Sequence, residues 1–359
     1  MRGARGRISP LLPRRPISNS EMSVSVSPDT SNLVECVPNF SEGRDRSVIN
    51  RIITAIGSVE GVRVLHSDVG DSANRTVVTF LGESAHVEEA AYRVIEMAAD
   101  AIDMQKHSGT HPRIGCTDVC PFVPIGTTSI DDCIAIAERV GDRVGLELEI
   151  PVYLYAEAAR REARRSLPAI RRGEYEGLAA KMALPEFAPD YGPASFNARS
   201  GATVIGARRI LIAWNVNLNT KDVGIASEIA RRLRTSGRQG AGGERIPGRF
   251  RGLQADGWFI DEFDRAQVTF NILDHQTTPL ASVFEACKVE ADSFSVEVTG
   301  SELVGLVPKE ALVEVGRHYA TEEGDERTLI GHAIRQLGLG QLNPFDPDKR
   351  VLEFAYQGQ

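Results

Sequence analysis

The densest group of chemically capable side chains lies in the segment HSGTHPRIGCTDVCPF, residues 107–122. A glycine and a proline interrupt any helix there, so we expect a loop that leads into a strand. A histidine in such a loop can exchange protons near neutral pH, because its ordinary pKa is about 6.5. The Pro-Arg pair that follows His111 holds the backbone, which favours proton transfer at His111 over a histidine that only hydrogen-bonds in a turn. Arg113 is placed to bind a carboxylate.

Zinc coordination is the alternative use of this segment. His107 and His111 have the spacing of a zinc-binding pair, and Cys116 and Cys120 approach that of a second pair. Cys120, however, lies at the edge of the apolar run VCPF, where a free cysteine packs as a small hydrophobic residue. The five cysteines of the chain are scattered and odd in number, which favours free thiols in a reducing compartment over disulfides. We therefore expect no metal site.

A second polar cluster, HSDVGDSANRT, occupies residues 66–76 and is predicted to form the turn between two strands. Asp68 or Asp71 could orient a histidine or receive a cationic group, and Arg75 could bind a carboxylate through two hydrogen bonds. A solvated turn capped by its own side chains explains the same residues equally well. The pattern alone leaves both interpretations open.

A third segment, PDYGPASFNARSGA at 189–202, combines two glycines with aromatic rings. The glycines permit close approach of the backbone, and Tyr191 and Phe196 could stack on a flat ring. Two arginine-rich stretches, 160–172 and 236–252, are predicted to be solvated faces. The alternative for both is attraction of a polyanionic tail into a cleft.

The elements predicted around these segments follow the order β-α-β-β-α-β in each half of the chain. The first half reads as strand Leu33–Pro38, helix Asp45–Ile56, strands Val62–Leu65 and Thr76–Leu81, helix Ala85–Met104 and strand Asp118–Pro124. The second reads as strand Ile210–Asn215, helix Val223–Leu233, strands Gly257–Phe259 and Gln267–Leu273, helix Pro279–Val289 and strand Ser295–Thr299. This order is typical of the ferredoxin-like (split βαβ) unit, whose antiparallel sheet has helices on one face only. An α+β fold results, in which two open sheet faces can enclose a ligand cleft.

An insertion separates the two units, and two helices follow the second. The insertion is predicted to hold a helix near Asp131–Val140, the strand PVYLY and a helical stretch EAARREARRS. The later helices are predicted at Lys309–Tyr319 and Glu326–Leu337.

Composition excludes several classes of protein. The chain has 359 residues, 42% of them hydrophobic, and a net charge of −8. Residues 1–21 hold five Arg and one Glu, so residues 22–359 carry −8 − 4 = −12, which disfavours nucleic-acid binding. No stretch approaches the roughly 18 consecutive apolar residues of a membrane-spanning helix. We expect residues 1–31 to be a disordered leader, or to include a mis-assigned start before Met22, because they lack the apolar stretch of a secretory signal.

Several of these blocks together resemble the formiminotransferase domain family. The blocks are VECVPNFSEGRD at 34–45, HSGTHPRIGCTDVCPF at 107–122, IPVYLYAEAARREARRSLPAIRRGEYEGL at 150–178, and PDYGPASF and TVIGARRILIAWNVNL downstream. The resemblance implies amino- and carboxyl-terminal subdomains, 32–209 and 210–359, whose sheets face each other across a substrate tunnel. It also implies a homodimer, and the pattern of free cysteines indicates a cytoplasmic location.

The same resemblance implies an activity and a set of site residues. The activity is transfer of the formimino group from N-formimino-L-glutamate to N5 of tetrahydrofolate during histidine degradation, with L-glutamate released and no metal required. His111 matches the catalytic residue of the family, and Asp68 matches its active-site acid. Arg75 and Arg113 would then bind substrate carboxylates. The folate-binding segment matches Gly192, Pro193, Ala194, Ser195, Phe196, Asn197, Ala198, Arg199, Ser200 and Gly201.

Two departures and two alternatives accompany this resemblance. Ile114 and Cys116 stand where Met and Ala are expected, and both changes leave the chemistry intact. A formyl donor, giving 5-formyltetrahydrofolate, differs from the formimino donor only by O in place of NH, so the sequence does not separate them. A ferredoxin-like RNA-binding module is disfavoured, because the strands LIAWNV and AQVTFNIL lack the aromatic pattern of such modules. Since the chain ends without a cyclodeaminase, we expect a separate enzyme to consume the product.

Overall fold

The structure is a computed structural model, and it describes residues 32–320, 324–341 and 344–357. The leader predicted at residues 1–31 lies outside the described residues. Within them the fold is a mixed α+β architecture, in which two sheets hold most of the strands. One sheet belongs to the first half of the chain and the other to the second half.

The first half is built from strands and helices that alternate along the chain. In chain order they are β1 (Leu33–Cys36), β2 (Asn39–Phe40), α1 (Arg46–Gly57), β3 (Val62–Gly70), β4 (Arg75–Glu83), α2 (Ser84–Ala101), β5 (Thr117–Pro124), α3 (Ile130–Glu147), β6 (Val152–Ala156), α4 (Leu167–Arg171), α5 (Glu174–Met182) and β7 (Thr203–Ala207). Local chemistry fixes the helix starts. The Asp45 carboxylate accepts from the backbone N–H of Ser47 at 2.8 Å, and Ser129 and Asp132 cap α3 reciprocally.

The sheet of the first half has the spatial order β3-β4-β1/β2-β5-β7-β6. β1 and β2 both pair with β4 and β5, so they act as one strand that is interrupted at Pro38, which has no backbone N–H. The pairs from β3 to β5 are antiparallel, whereas β5-β7 and β7-β6 are parallel. One sheet face is covered by α1, α2 and α3 around a core that includes Ile52, Phe80 and Ile136.

The second half repeats the first arrangement on a smaller scale. Its elements are β8 (Ile212–Leu218), α6 (Val223–Leu233), β9 (Arg238–Gln239), β10 (Arg245–Ile246), β11 (Leu253–Ile260), β12 (Arg265–Ile272), α7 (Leu280–Asp292), β13 (Val298–Val304), α8 (Lys309–Tyr319), α9 (Glu326–Leu337), α10 (Pro347–Arg350) and α11 (Leu352–Gln357). The antiparallel sheet has the order β11-β12-β8-β13. When the strands of each sheet are numbered separately and β1/β2 is counted as one strand, both sheets place the first strand between the third and the fourth.

The carboxyl-terminal segment joins the two halves. Val351 pairs with Val307, which fixes the segment to the second half. Leu352 of α11 then packs against Leu33 and Leu81 on the face of the first sheet that the helices leave open. The guanidinium of Arg63 also lies 5.0 Å from the ring centroid of Tyr356. The open face of the first sheet is thus partly covered by the end of the described chain.

Three predicted elements were wrong in type or extent, and one strand was missed. The predicted turn 66–76 is mostly strand, because β3 continues to Gly70 and β4 begins at Arg75. The predicted helix EAARREARRS forms only a short 3-10 turn at Glu162–Arg164, because Arg164 turns inward to buried partners. β13 begins three residues later than predicted, and β7 was not predicted. In each case tertiary contacts decide the local structure more strongly than composition does.

Candidate active site

His111 and Arg75 form the centre of the candidate site. The Nδ1 of His111 lies 2.8 Å from the carbonyl oxygen of Pro112, which can only accept, so Nδ1 carries the proton. The Nε2 of His111 contacts the Nη1 of Arg75. Because a guanidinium can only donate, Nε2 is the unprotonated, basic nitrogen.

The electrostatic environment keeps His111 neutral. Burial lowers the pKa of His111 well below its ordinary value, and the positive charges of Arg75 and Arg171 lower it further. Burial and the charge of Arg171 also lower the pKa of Arg75 to about 9, against the opposing charges of Asp118 and Asp68. The Nε of Arg75 is buried and has no hydrogen-bond partner within the described ranges. A buried cation with an unused donor is suited to bind an anion.

Arg171 and Asp118 complete this charged centre, and the sequence analysis assigned no role to either. Arg171 ends α4 and contacts the carboxylate of Asp118, which is buried and also accepts from the backbone N–H of Ile114 at 3.0 Å. The prediction of a solvated face over 160–172 was wrong for Arg171, whose side chain is 12% exposed. Arg171 is one of many arginines in that stretch, so the residue type alone does not distinguish Arg171 from its solvent-exposed neighbours.

Asp68 lies on β3 beside Val77 of β4 and connects the charged centre to the second half of the chain. Its charge raises the pKa of Arg75, and it opposes the burial that lowers the pKa of Arg350. Arg350 ends α10 and donates from Nε to the carbonyl oxygen of Gly305 at 3.1 Å. The charge of Asp68 therefore acts both on Arg75, which contacts His111, and on Arg350 of the second half of the chain.

Arg113 has different partners from those expected. Its side chain is 7% exposed, and its guanidinium donates to Glu174 at 2.9 Å and to Glu176 at 2.6 Å. Its Nε also donates to the Nδ1 of His107 at 3.2 Å. The carboxylates that Arg113 binds in the structure thus belong to the chain itself, and they lie beside a cavity of about 410 Å³.

The segment that matches the family's folate-binding residues, 192–201, is hydrogen-bonded to the loop that carries His111. The N–H of Met104 donates to Arg199 at 2.9 Å, and the N–H of Cys116 donates to Ser200 at the same distance. Within the segment, Asn197 accepts from the N–H groups of Ser200 and Gly201. The ring of Phe196 lies 5.4 Å from that of Tyr175. The structure thus joins this segment to the histidine loop by backbone hydrogen bonds.

A glycine substitution tests how closely these two segments must approach. Gly201 has φ +68°, and a Cβ there would lie 2.1 Å from the carbonyl oxygen of Ile114. Gly252 has φ +67° but no atom within 4 Å of its Cβ position. We expect Gly252→Ala to cost about 1–2 kcal/mol for the left-handed backbone alone, and Gly201→Ala to cost clearly more. Urea denaturation of both variants measures the difference, and equal losses would contradict the close approach.

The parts of the chain that the structure describes contain no group of residues arranged as a metal site and no membrane-spanning helix. No group of three His, Cys, Asp or Glu side chains is arranged to hold a metal ion there. The five cysteines are buried and free, with Cys36 and Cys120 separated by 3.6 Å between their sulfurs. No described helix is both long and apolar enough to cross a membrane.

Comparison with known proteins gives one consistent result. Residues 33–208 match the formiminotransferase domain, N-terminal subdomain, and residues 213–357 match the formiminotransferase domain. A formimidoyltransferase-cyclodeaminase from Rattus norvegicus is 46% identical over 90% of the chain, and the chain spans 60% of its length. Glutamate formimidoyltransferases from Thermoplasma acidophilum and Streptococcus pyogenes are 41% and 39% identical, and the aligned region covers 96% and 95% of their lengths.

Proposed function

The chain belongs to the formiminotransferase domain family, and on that basis we propose that it is a glutamate formimidoyltransferase. It transfers the formimino group of N-formimino-L-glutamate to N5 of tetrahydrofolate, which is a co-substrate. The products are 5-formimidoyltetrahydrofolate and L-glutamate, and the reaction belongs to histidine degradation. The observation that carries the proposal is the basic Nε2 of His111, held beside a buried arginine with an unused donor.

We propose that the two sheets form ferredoxin-like units in subdomains 32–209 and 210–359. The shared strand order of the two sheets supports this part of the proposal. The open faces of the units then lie on opposite sides of a substrate tunnel. The influence of the Asp68 charge on Arg350 and Glu302 of the second subdomain supports that arrangement.

The proposed mechanism passes one proton through His111. As N5 of tetrahydrofolate attacks the formimino carbon, the new N–C bond makes N5 acidic, and Nε2 of His111 accepts its proton. The same proton then moves to the glutamate nitrogen, whose bond to the formimino carbon breaks. A lowered pKa suits both steps, because it keeps the base free at neutral pH and makes the imidazolium a strong acid.

Arg75 and Asp68 prepare His111 and the donor for this transfer. Since the guanidinium of Arg75 contacts Nε2 in the structure, a substrate carboxylate must draw that guanidinium away before N5 can donate its proton. The unused Nε of Arg75 offers the second hydrogen bond for such a carboxylate. Asp68 stabilises the positive charge of the formimino amidine. Residues 192–201 bind the folate, and Arg113 remains a second candidate for a substrate carboxylate.

A donor assay tests the proposed function. The purified chain is incubated with tetrahydrofolate and either N-formimino-L-glutamate or N-formyl-L-glutamate, and the product is read by absorbance after acid cyclisation. We expect transfer from the formimino donor. Transfer only from the formyl donor would assign the formyltransferase alternative, and no transfer from either would contradict the enzyme. The family resemblance also supports a homodimer, and the five free cysteines support a cytoplasmic location.

A further inference from the structure

A row of amide and carboxyl side chains crosses the centre of the second sheet, and the proton transfer proposed above does not use it. Asn215 on β8 is paired with Glu302 on β13, and Asn217 on β8 is paired with Gln267 on β12. Asn217 and Gln267 are fully buried, and Glu302 is half-buried. Because residues two apart on a strand share a face, these four side chains lie on one face of the sheet.

Hydrogen bonds hold the row in one conformation. Gln267 accepts from the indole N–H of Trp258 at 2.9 Å, which fixes the orientation of its amide. Its Nε2 then donates to Asn217 at 2.7 Å and to the Oε1 of Glu302 at 3.1 Å. Asn215 donates to the same Oε1 at 3.1 Å. Glu302 is thereby positioned by neutral donors.

These bonds leave the row incomplete. Both donors to Glu302 contact Oε1, and Oε2 has no hydrogen-bond partner among the residues that the structure describes. The buried Nδ2 of Asn217 also has no partner within those residues. Oε2 of Glu302 is not among the buried unpaired atoms of the described residues, so it is open to solvent and can accept a hydrogen bond from another molecule.

The charges of Asp68 and Arg350 act on Glu302. Burial raises the pKa of Glu302, and the negative charge of Asp68 in the first sheet raises it further. The positive charge of Arg350 acts in the opposite direction on Glu302. The guanidinium of Arg350 is itself held by the carbonyl oxygens of Leu303 and Gly305. The charge of Asp68 therefore reaches Glu302, and Leu303, the next residue on β13, binds Arg350.

We propose, resting on the function proposed above, that Oε2 of Glu302 binds the 2-amino and N3–H edge of the pterin ring of tetrahydrofolate. That edge presents two neighbouring N–H donors, which a carboxylate accepts well. The carboxylates of the glutamate donor are themselves acceptors, so Glu302 repels them. Glu302 is thus a specificity-determining residue for the folate co-substrate, contributed by the second half of the chain.

Calorimetric titration of the whole chain with two folates tests this proposal. The ligands are 5-formyltetrahydrofolate and its 2-desamino-2-methyl analogue, which lacks the amino donor. We expect the wild-type chain to bind the analogue about tenfold to a hundredfold more weakly, the size of one lost hydrogen bond to a charged group. In Glu302→Gln, which keeps an oxygen for Asn215 and Gln267, the two ligands should differ much less.

The outcomes separate this proposal from the proposed function. Equal affinities of the two ligands for the wild-type chain would overturn the role of Glu302, whether or not the variant folds. The same conclusion would follow if Glu302→Gln raised the KM for N-formimino-L-glutamate and left that for tetrahydrofolate unchanged. Failure of the proposed function would instead appear as the absence of transfer by the wild-type chain from either donor. Far-ultraviolet circular dichroism checks that the variant is folded.

Discussion

Replacing His111 with alanine is expected to lower kcat for formimino transfer by about a hundredfold or more, the usual contribution of a general acid–base group. The physical reason is that Nε2 of His111 is the basic nitrogen beside Arg75, and the substitution removes it. Affinity for 5-formyltetrahydrofolate should change little, because residues 192–201 keep their backbone hydrogen bonds. Steady-state kinetics with a parallel binding titration measures both quantities.

A histidine on the same loop provides the matched control. His107 is half-buried, and both ring nitrogens have partners other than Arg75: Nδ1 accepts from the Nε of Arg113 at 3.2 Å, and Nε2 donates to the carbonyl oxygen of Asn74 at 2.9 Å. His107→Asn should therefore retain most of the transfer activity. Near-normal turnover in His111→Ala, or equal losses in the two variants, would contradict the assignment of His111.

The pH dependence should follow from the same environment. Burial and two arginine charges lower the pKa of His111, so the neutral base persists as the pH falls below the ordinary histidine value of 6.5. The acid side of the kcat/KM profile should therefore lie below 6.5, where His111 finally gains its proton. A profile that loses activity already above that value would show that another group is being titrated.

Replacing Arg164 with methionine is expected to lower the free energy of unfolding by about 3–5 kcal/mol, because it leaves a buried charge without its partner. Arg164 and Asp190 are 3% and 6% exposed, and their side chains are joined at 2.6 Å. Asp190 also accepts from the backbone N–H of Leu154 at 2.8 Å. The guanidinium of Arg164 lies 5.0 Å from the ring centroid of Tyr153, so its loss also removes packing.

The next residue in the chain supplies the control. Arg165 pairs with Glu157 at 2.7 Å, but the two side chains are 46% and 47% exposed. Arg165→Met should cost only about 0–1 kcal/mol, as exposed ion pairs do. Urea denaturation compares the two variants, and similar small losses in both would mean that the buried pair does not stabilise the fold. Asp190 lies just before residues 192–201, so loss of its partner should also disturb that segment. Arg164→Met should therefore bind folate more weakly even at urea concentrations at which the chain is still folded.

The sequence predicts the long, regular elements well. Helices Lys309–Tyr319 and Glu326–Leu337 begin and end where the apolar spacing indicates, and Asp45 marks the start of α1. These elements are amphipathic and capped locally, so their own residues determine them. The β-α-β-β-α-β order in both halves follows from the same periodicity, whereas β7 was missed.

The candidate site is harder to predict from the sequence, because its polar residues face inward. Asp68 and Arg75 look like a solvated turn in the sequence, although both lie on strands. Arg164 and Arg171 belong to a run of similar residues, and only the buried partners Asp190 and Asp118 distinguish them. A one-dimensional pattern records the type of a side chain but not its partner, so these roles require the structure.

The carboxyl-terminal segment has a consequence for how the protein is made. Leu352 packs with Leu33, and the charge of Asp68 acts on Arg350. Some of the last described residues therefore lie against some of the first described residues. Contacts between such distant positions form late in folding. During synthesis on a ribosome, the open apolar face of the amino-terminal sheet therefore stays uncovered until residues 350–357 emerge. We therefore expect a chain truncated before Arg350 to expose that face, to lose transfer activity and to aggregate more readily than the full chain.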